Sequence, residues 1–274
     1  MRCELLHLKD CFDFLGDGGC DPRRGLYLPD NLSGVEHQKR PCILICPGGG
    51  YEFCSDRESE VIALQFLGEG YNVFVLTYSV APHRFPAQLR EVAAAMELIA
   101  RKGEDWSCDP TRVAIMGFSA GGHLAAHYST CYDCAEVRQV FPDSKPVRAS
   151  ILCYPVITAD AQYAHLGSFR ALTGRDSLSE ADVERFSCDR CVDADTPQAF
   201  LWHTAGDGCV PVMNSLLYAG ALARYHIPFE LHVYPFGDHG LATADEQTCG
   251  CLSEKVAHVH GWLHDAKKWL KLVL

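Results

Sequence analysis

No stretch of the 274 residues holds the ~20 consecutive apolar positions that would span a bilayer. Excess positive charge is missing too. Twenty-four basic against 35 acidic side chains leave a formal charge of −11, which argues against nucleic acid or anionic membranes as partners, since both are met by basic patches. The N-terminus, Met1-Arg2-Cys3-Glu4-Leu5-Leu6-His7-Leu8-Lys9-Asp10, is interrupted by charge and lacks the apolar core of a signal peptide, so a cytoplasmic protein is expected. Internal repeats and low-complexity tracts are absent. So are the P-loop and the G-x-G-x-x-G fingerprint, which removes the usual nucleotide-binding motifs.

Cysteine is plentiful instead. Fifteen of them, an odd number without an export signal, point to reduced thiols and not to a disulfide framework. Two C-x-x-C pairs occur, Cys131/Cys134 and Cys188/Cys191, and Cys249-Gly250-Cys251 precedes a histidine-rich tail. The pairs lie too far apart for a zinc ribbon, and Cys42, Cys46 and Cys153 sit in apolar runs where cysteine acts as a small hydrophobe. No metal and no cofactor is expected.

A hydrophobic content of 48% supports a large core, and the length suits one α/β domain over residues 1–274. Residues 4–8 and 25–28 read as edge strands flanking the turn Gly16-Asp17-Gly18-Gly19, and residues 30–40 as a polar loop. Strands and helices then alternate. Strands are predicted at 42–46, 72–77, 112–116, 149–154, 200–203 and 229–234. Helices are predicted at 56–68, from Pro86 with apolar positions at 89, 92, 93, 96, 99 and 100, after residue 119, at 212–225 and at 253–272. Such alternation implies a mostly parallel, doubly wound sheet, with antiparallel N-terminal strands and residues 155–197 as a small lid insertion.

The chemistry centres on Gly117-Phe118-Ser119-Ala120-Gly121-Gly122, preceded by the apolar run Val113-Ala114-Ile115-Met116. The G-x-S-x-G pattern is that of a nucleophile elbow, a strand-to-helix turn so tight that only small residues fit two positions either side of the serine. Its plain alternative is an ordinary glycine turn. A serine hydroxyl also needs a base, and the base an orienting acid. Asp207 follows the strand at 200–203 in Ala205-Gly206-Asp207-Gly208, although a turn-forming Asp would look the same. Among 13 histidines, His239 alone stands in a glycine-bracketed loop after the next strand, Gly237-Asp238-His239-Gly240. Pro47-Gly48-Gly49-Gly50-Tyr51 follows the first parallel strand, and its unobstructed amides, with the N–H of Ala120, are candidate oxyanion donors.

These stretches, with Tyr78-Ser79-Val80-Ala81-Pro82, Asp109-Pro110-Thr111-Arg112-Val113 and Val210-Pro211, resemble the α/β-hydrolase superfamily from about residue 41 to the end. Within it the sequence is most similar to bacterial acetyl esterases and acetylxylan esterases of the BD-FAE type, close to the hormone-sensitive-lipase group. The resemblance implies an α/β-hydrolase fold and a serine carboxylesterase with a Ser119–His239–Asp207 triad. It implies oxyanion donors on Gly49, Gly50 and Ala120, and a short-acyl, chiefly acetyl, ester of a carbohydrate as the small-molecule partner. Two departures matter. Pro47 replaces the histidine of His-Gly-Gly-Gly, and Ser79 the arginine of Tyr-Arg-Val-Ala-Pro, which points away from long-chain lipases. Gly48, Tyr51, Phe85 and Tyr154, with Phe53, are expected to line the substrate pocket. A homodimer is compatible with all of this. The competing readings are an aryl formamidase, a small serine peptidase, and a catalytically silent binding protein on the same fold.

Overall fold

The computed structural model describes residues 1–15, 22–31, 39–250 and 253–274. The expected turn at 16–19, most of the loop at 30–40, and Cys251 lie outside the described residues.

Along the chain the elements are β1 (Arg2–His7), β2 (Arg23–Leu28), β3 (Arg40–Cys46), α1 (Glu60–Leu67), β4 (Asn72–Thr77), α2 (Ala87–Arg101), β5 (Cys108–Phe118), α3 (Ser119–Cys131) and α4 (Ala135–Arg138). They continue with β6 (Ala149–Cys153), α5 (Leu166–Thr173), α6 (Glu180–Phe186), β7 (Gln198–Thr204), α7 (Met213–Arg224), β8 (Phe229–Tyr234), α8 (Glu246–Cys249), α9 (Glu254–Ala257) and α10 (Gly261–Val273). The strands form one sheet in the order β1-β2-β4-β3-β5-β6-β7-β8. β2 pairs antiparallel with both β1 and β4, whereas every pairing from β4 to β8 is parallel, so β2 alone is reversed. β1 is the edge; β2, expected as an edge strand too, is an interior one.

Strand alternation divides the core into two layers. Leu44, Phe74, Ile115, Leu152 and Leu201 face the side covered by α2, α3 and α7. Ile43, Ile45, Val73, Val75, Met116, Phe200 and Trp202 face the other, covered by Ile62, Ala63 and Phe66 of α1 and by Trp262, Leu263, Ala266 and Leu270 of α10. Each fully buried side chain of this size contributes about 1.5–3 kcal/mol relative to exposure. Cys42, Cys46 and Cys153 are buried within these layers. The described part of the chain has no helix long and apolar enough to cross a membrane.

Two helices depart from the continuous form their apolar patterns suggest. The predicted helix at 56–68 opens as a separate 3-10 turn, Asp56–Glu58, because Glu58 turns inward, and α1 proper starts at Glu60. The predicted helix at 253–272 is divided by a 3-10 turn, His258–His260, in which His260 Nδ1 donates to the Thr243 carbonyl at 2.7 Å. Residues 155–197 carry α5 and α6.

Candidate active site

Parallel strands carry their C-terminal ends to the same edge of the sheet, and in such sheets ligands bind beyond that edge. Four loops meet there. The Pro47–Gly50 turn leaves β3, Ser119 leaves β5, Asp207 follows β7 and His239 follows β8.

The elbow is built by steric exclusion. β5 ends at Phe118 in extended conformation, Ser119 takes φ +52°, and α3 starts on the serine itself. A left-handed non-glycine residue costs on the order of 1–3 kcal/mol and persists only where its surroundings enforce it. Here they do. A Cβ on Gly121 would lie 2.1 Å from the Cys46 carbonyl oxygen, and one on Gly117 would lie 2.2 Å from that of Gly121. The strain stands Ser119 at the N-terminus of α3, where amides and dipole favour developing negative charge.

Ser119 Oγ lies 2.7 Å from His239 Nε2, and His239 Nδ1 lies 2.6 Å from Asp207 Oδ2. The hydrogen bonds assign the tautomer. Nδ1–H donates to the carboxylate, which leaves Nε2 unprotonated to accept the serine proton. Asp207 Oδ1 accepts the amides of Cys209 (2.9 Å) and Val210 (2.8 Å). His203 Nε2 donates to the Val210 carbonyl at 2.9 Å and stands 3.3 Å from Asp207 Oδ2. Burial alone would raise the Asp207 pKa, but the approach of His203, the His239 hydrogen bond and the Val210 amide hold it well below the usual carboxylate range. The side chain is thus a buried, ionised anchor for the imidazole.

In front of this relay lies a pocket of about 280 Å³. Gly49 (φ +126°) and Gly50 (φ +66°) line it with Ser119, and Ala120 is fully buried as the second residue of α3. The rest of the lining includes Glu52, Phe53, Arg57, Glu58, His165 and Cys209. His165 arrives from the insertion, and burial lowers its pKa.

Four of the expected lining residues do not line this pocket. Gly48 N–H is taken by Glu58 Oε2 at 2.7 Å, so this amide is not free for a substrate. Tyr51 is buried, its hydroxyl bonded to His123 Nδ1 at 2.8 Å and its ring against Tyr78. Phe85 stacks on His127 and meets Phe186 edge-on, away from the pocket. Tyr154 stands behind the site, its ring edge-on to His239 at 5.0 Å and its hydroxyl on Glu58 Oε1 at 2.7 Å. Only Phe53, which is 59% exposed, faces the pocket as expected. Conversely, nothing local in the sequence marked Glu58 or His165, because each reaches the site through tertiary packing.

Larger hollows exist. One of about 540 Å³ lies between Thr111, Arg148, Gln198 and Tyr225, around the opposite ends of the strands. Cys131 approaches Cys191 and His127, both of which favour its thiolate. No set of three His, Cys, Asp or Glu among the described residues is arranged to hold a metal ion.

Comparison with known proteins identifies the family and the fold. The BD-FAE family model matches residues 25–222. The chain is 37% identical over 219 residues to endo-1,4-beta-xylanase B of Butyrivibrio fibrisolvens, covering 76% of this chain and 34% of that protein. It is 31% identical over 218 residues to an acetylxylan esterase of Xylanibacter ruminicola, covering 78% and 42% respectively. It therefore spans between a third and a half of these curated relatives. Among solved structures, an acetyl ester-xyloside bifunctional hydrolase from Caldicellulosiruptor lactoaceticus superposes with a TM-score of 0.85 at 34% identity, over 99% of this chain and 97% of that one. A carboxylesterase from Lactobacillus plantarum does so with a TM-score of 0.84 at 27% identity, over 99% and 98%. The chain belongs to the BD-FAE family and has the α/β-hydrolase fold.

Proposed function

We propose that this chain is a serine esterase that removes short acyl groups, acetyl foremost, from acetylated carbohydrates. The observation that carries the reading is the continuous relay from Ser119 Oγ through His239 to Asp207, with contacts of 2.7 and 2.6 Å, at the mouth of a small pocket. In the reaction Ser119 attacks the ester carbonyl while His239 takes the serine proton. The amides of Gly49, Gly50 and Ala120 receive the oxyanion. His239 then protonates the leaving alcohol, and an acyl group remains on Ser119. Water, deprotonated by His239, releases the acid and restores the serine.

Substrate class is argued from size and polarity. A pocket of about 280 Å³ suits a short acyl chain, and Glu52, Arg57 and His165 around it offer hydrogen bonds to a hydroxylated alcohol. The names of the relatives, an acetylxylan esterase and an acetyl ester-xyloside hydrolase, support the same class.

The test is a panel of p-nitrophenyl esters from acetyl to octanoyl, with acetylated xylo-oligosaccharides and N-formylkynurenine alongside. Acetyl ester turnover should exceed octanoyl turnover, and the oligosaccharides should release acetate. Ser119→Ala should abolish hydrolysis while far-UV circular dichroism stays unchanged. Full activity in that variant would contradict the assignment, and preferential turnover of N-formylkynurenine would favour the formamidase.

A further inference from the structure

We propose that Glu58 is a positioning residue of this site, one carboxylate that locks the oxyanion turn and the histidine loop into a single frame. The inference rests on the esterase reading above.

Glu58 is only 4% exposed, although its neighbours Asp56 and Arg57 are exposed. Burying a carboxylate costs several kcal/mol unless donors compensate it. Each oxygen has one donor. Oε2 accepts Gly48 N–H at 2.7 Å, and Oε1 accepts the Tyr154 hydroxyl at 2.7 Å. Burial raises the Glu58 pKa, while these two bonds and the nearby His239 and Arg57 favour the ionised form.

On one side the frame fixes the turn. Pro47 C=O accepts the Tyr78 hydroxyl at 2.7 Å while Gly48 N–H binds Glu58, so that peptide plane is held at both edges. The next carbonyl, Gly48 C=O, accepts the Ser55 amide at 3.0 Å. In a trans peptide C=O and N–H point in opposite directions, so the Gly49 N–H is aimed by the same set of bonds. On the other side the frame reaches the base. The Tyr154 hydroxyl accepts the Ala242 amide at 3.0 Å, three residues beyond His239, and the Tyr154 ring packs edge-on against the imidazole at 5.0 Å. Because the Tyr154 oxygen already accepts from Ala242, its one proton goes to Glu58. Both partners of Glu58 are therefore donors, and both of its oxygens must accept.

Glutamine keeps the shape and breaks that arrangement, since its NH₂ must face one of the two donors. The test is steady-state kinetics on p-nitrophenyl acetate for the wild type, Glu58→Gln, Tyr154→Phe and the double variant, with circular dichroism on the same preparations. Displacing oxyanion donors is expected to lower kcat about 10- to 100-fold in Glu58→Gln, with KM within about twofold. Tyr154→Phe should also lower kcat, and the double variant should be little worse than the poorer single one, because both cut the same chain of bonds. A folded Glu58→Gln with wild-type kcat, or a loss confined to KM, would overturn the proposal while wild-type turnover leaves the esterase reading intact. Should Glu58→Gln fail to fold, Tyr154→Phe decides: reduced kcat supports the proposal and wild-type kcat overturns it. A wild type inactive on every ester overturns both.

Discussion

Ser119 holds a left-handed backbone conformation in a turn whose backbone contacts are so close that only glycine fits at residues 117 and 121. A methyl group at residue 121 would meet the carbonyl oxygens of Cys46 and Pro47 at 2.1 and 2.2 Å, and backbone atoms in the centre of a sheet cannot step aside as a side-chain tip can. Overpacking commonly costs 1–3 kcal/mol, and contact with fixed backbone belongs at the upper end or beyond. Gly121→Ala is accordingly expected to lose about 3 kcal/mol or more of unfolding free energy, read from urea denaturation, together with esterase activity. The neighbouring His123 shows how burial assigns a role. With Nε2–H on the Phe186 carbonyl at 2.9 Å and Nδ1 accepting from Tyr51, it is a neutral core histidine whose pKa burial lowers to about 3. It sits four residues from the nucleophile, yet its chemistry is spent on packing.

Among the elements, α2 carries a charge that its environment disfavours. Glu91 is fully buried, accepts the Ser79 amide at 2.7 Å and bonds the Ser79 hydroxyl, which ties the helix to the loop leaving β4. Burial raises its pKa from 4.5 to about 7, with the Ser79 bonds opposing that rise. The folded value lies above the unfolded one, so this group's contribution is complete below pH 4.5 and is lost as pH rises through 7. Between pH 5 and pH 8 the wild type should lose on the order of 3 kcal/mol more stability than Glu91→Gln, measured by urea denaturation at the two pH values. The elements themselves were readable wherever one signal dominated. Apolar runs bounded by proline or turn residues marked β3, β4 and β6, and a 3.6-residue period marked α2. The early part of α1 was not readable, because Asp56-Arg57-Glu58 has the look of an exposed first helical turn and only the folded sheet supplies the donors that draw Glu58 inside.

Across the whole molecule, four loops from β3, β5, β7 and β8 converge on one point, and this convergence separates the legible residues from the hidden ones. Ser119, Asp207 and His239 could be found because parallel strands deliver consecutive loops to one edge, so chain order and strand ends sufficed. The aromatic residues could not be assigned in that way. Tyr51, Phe85 and Tyr154 lie near strand or helix ends, where a ring can point into the pocket or into the core, and hydrogen bonds to His123 and Glu58 draw the two tyrosines inward. Glu58 and His165 were hidden because their partners are far away in sequence. The central claim is that Ser119 is a nucleophile activated through His239 by Asp207. Its most direct test is to treat the wild type and Ser119→Ala with a fluorophosphonate and locate the adduct by peptide mass spectrometry. A single stoichiometric adduct on Ser119, absent from the alanine variant, is the predicted result; an unlabelled wild type, or label that persists in Ser119→Ala, would contradict it.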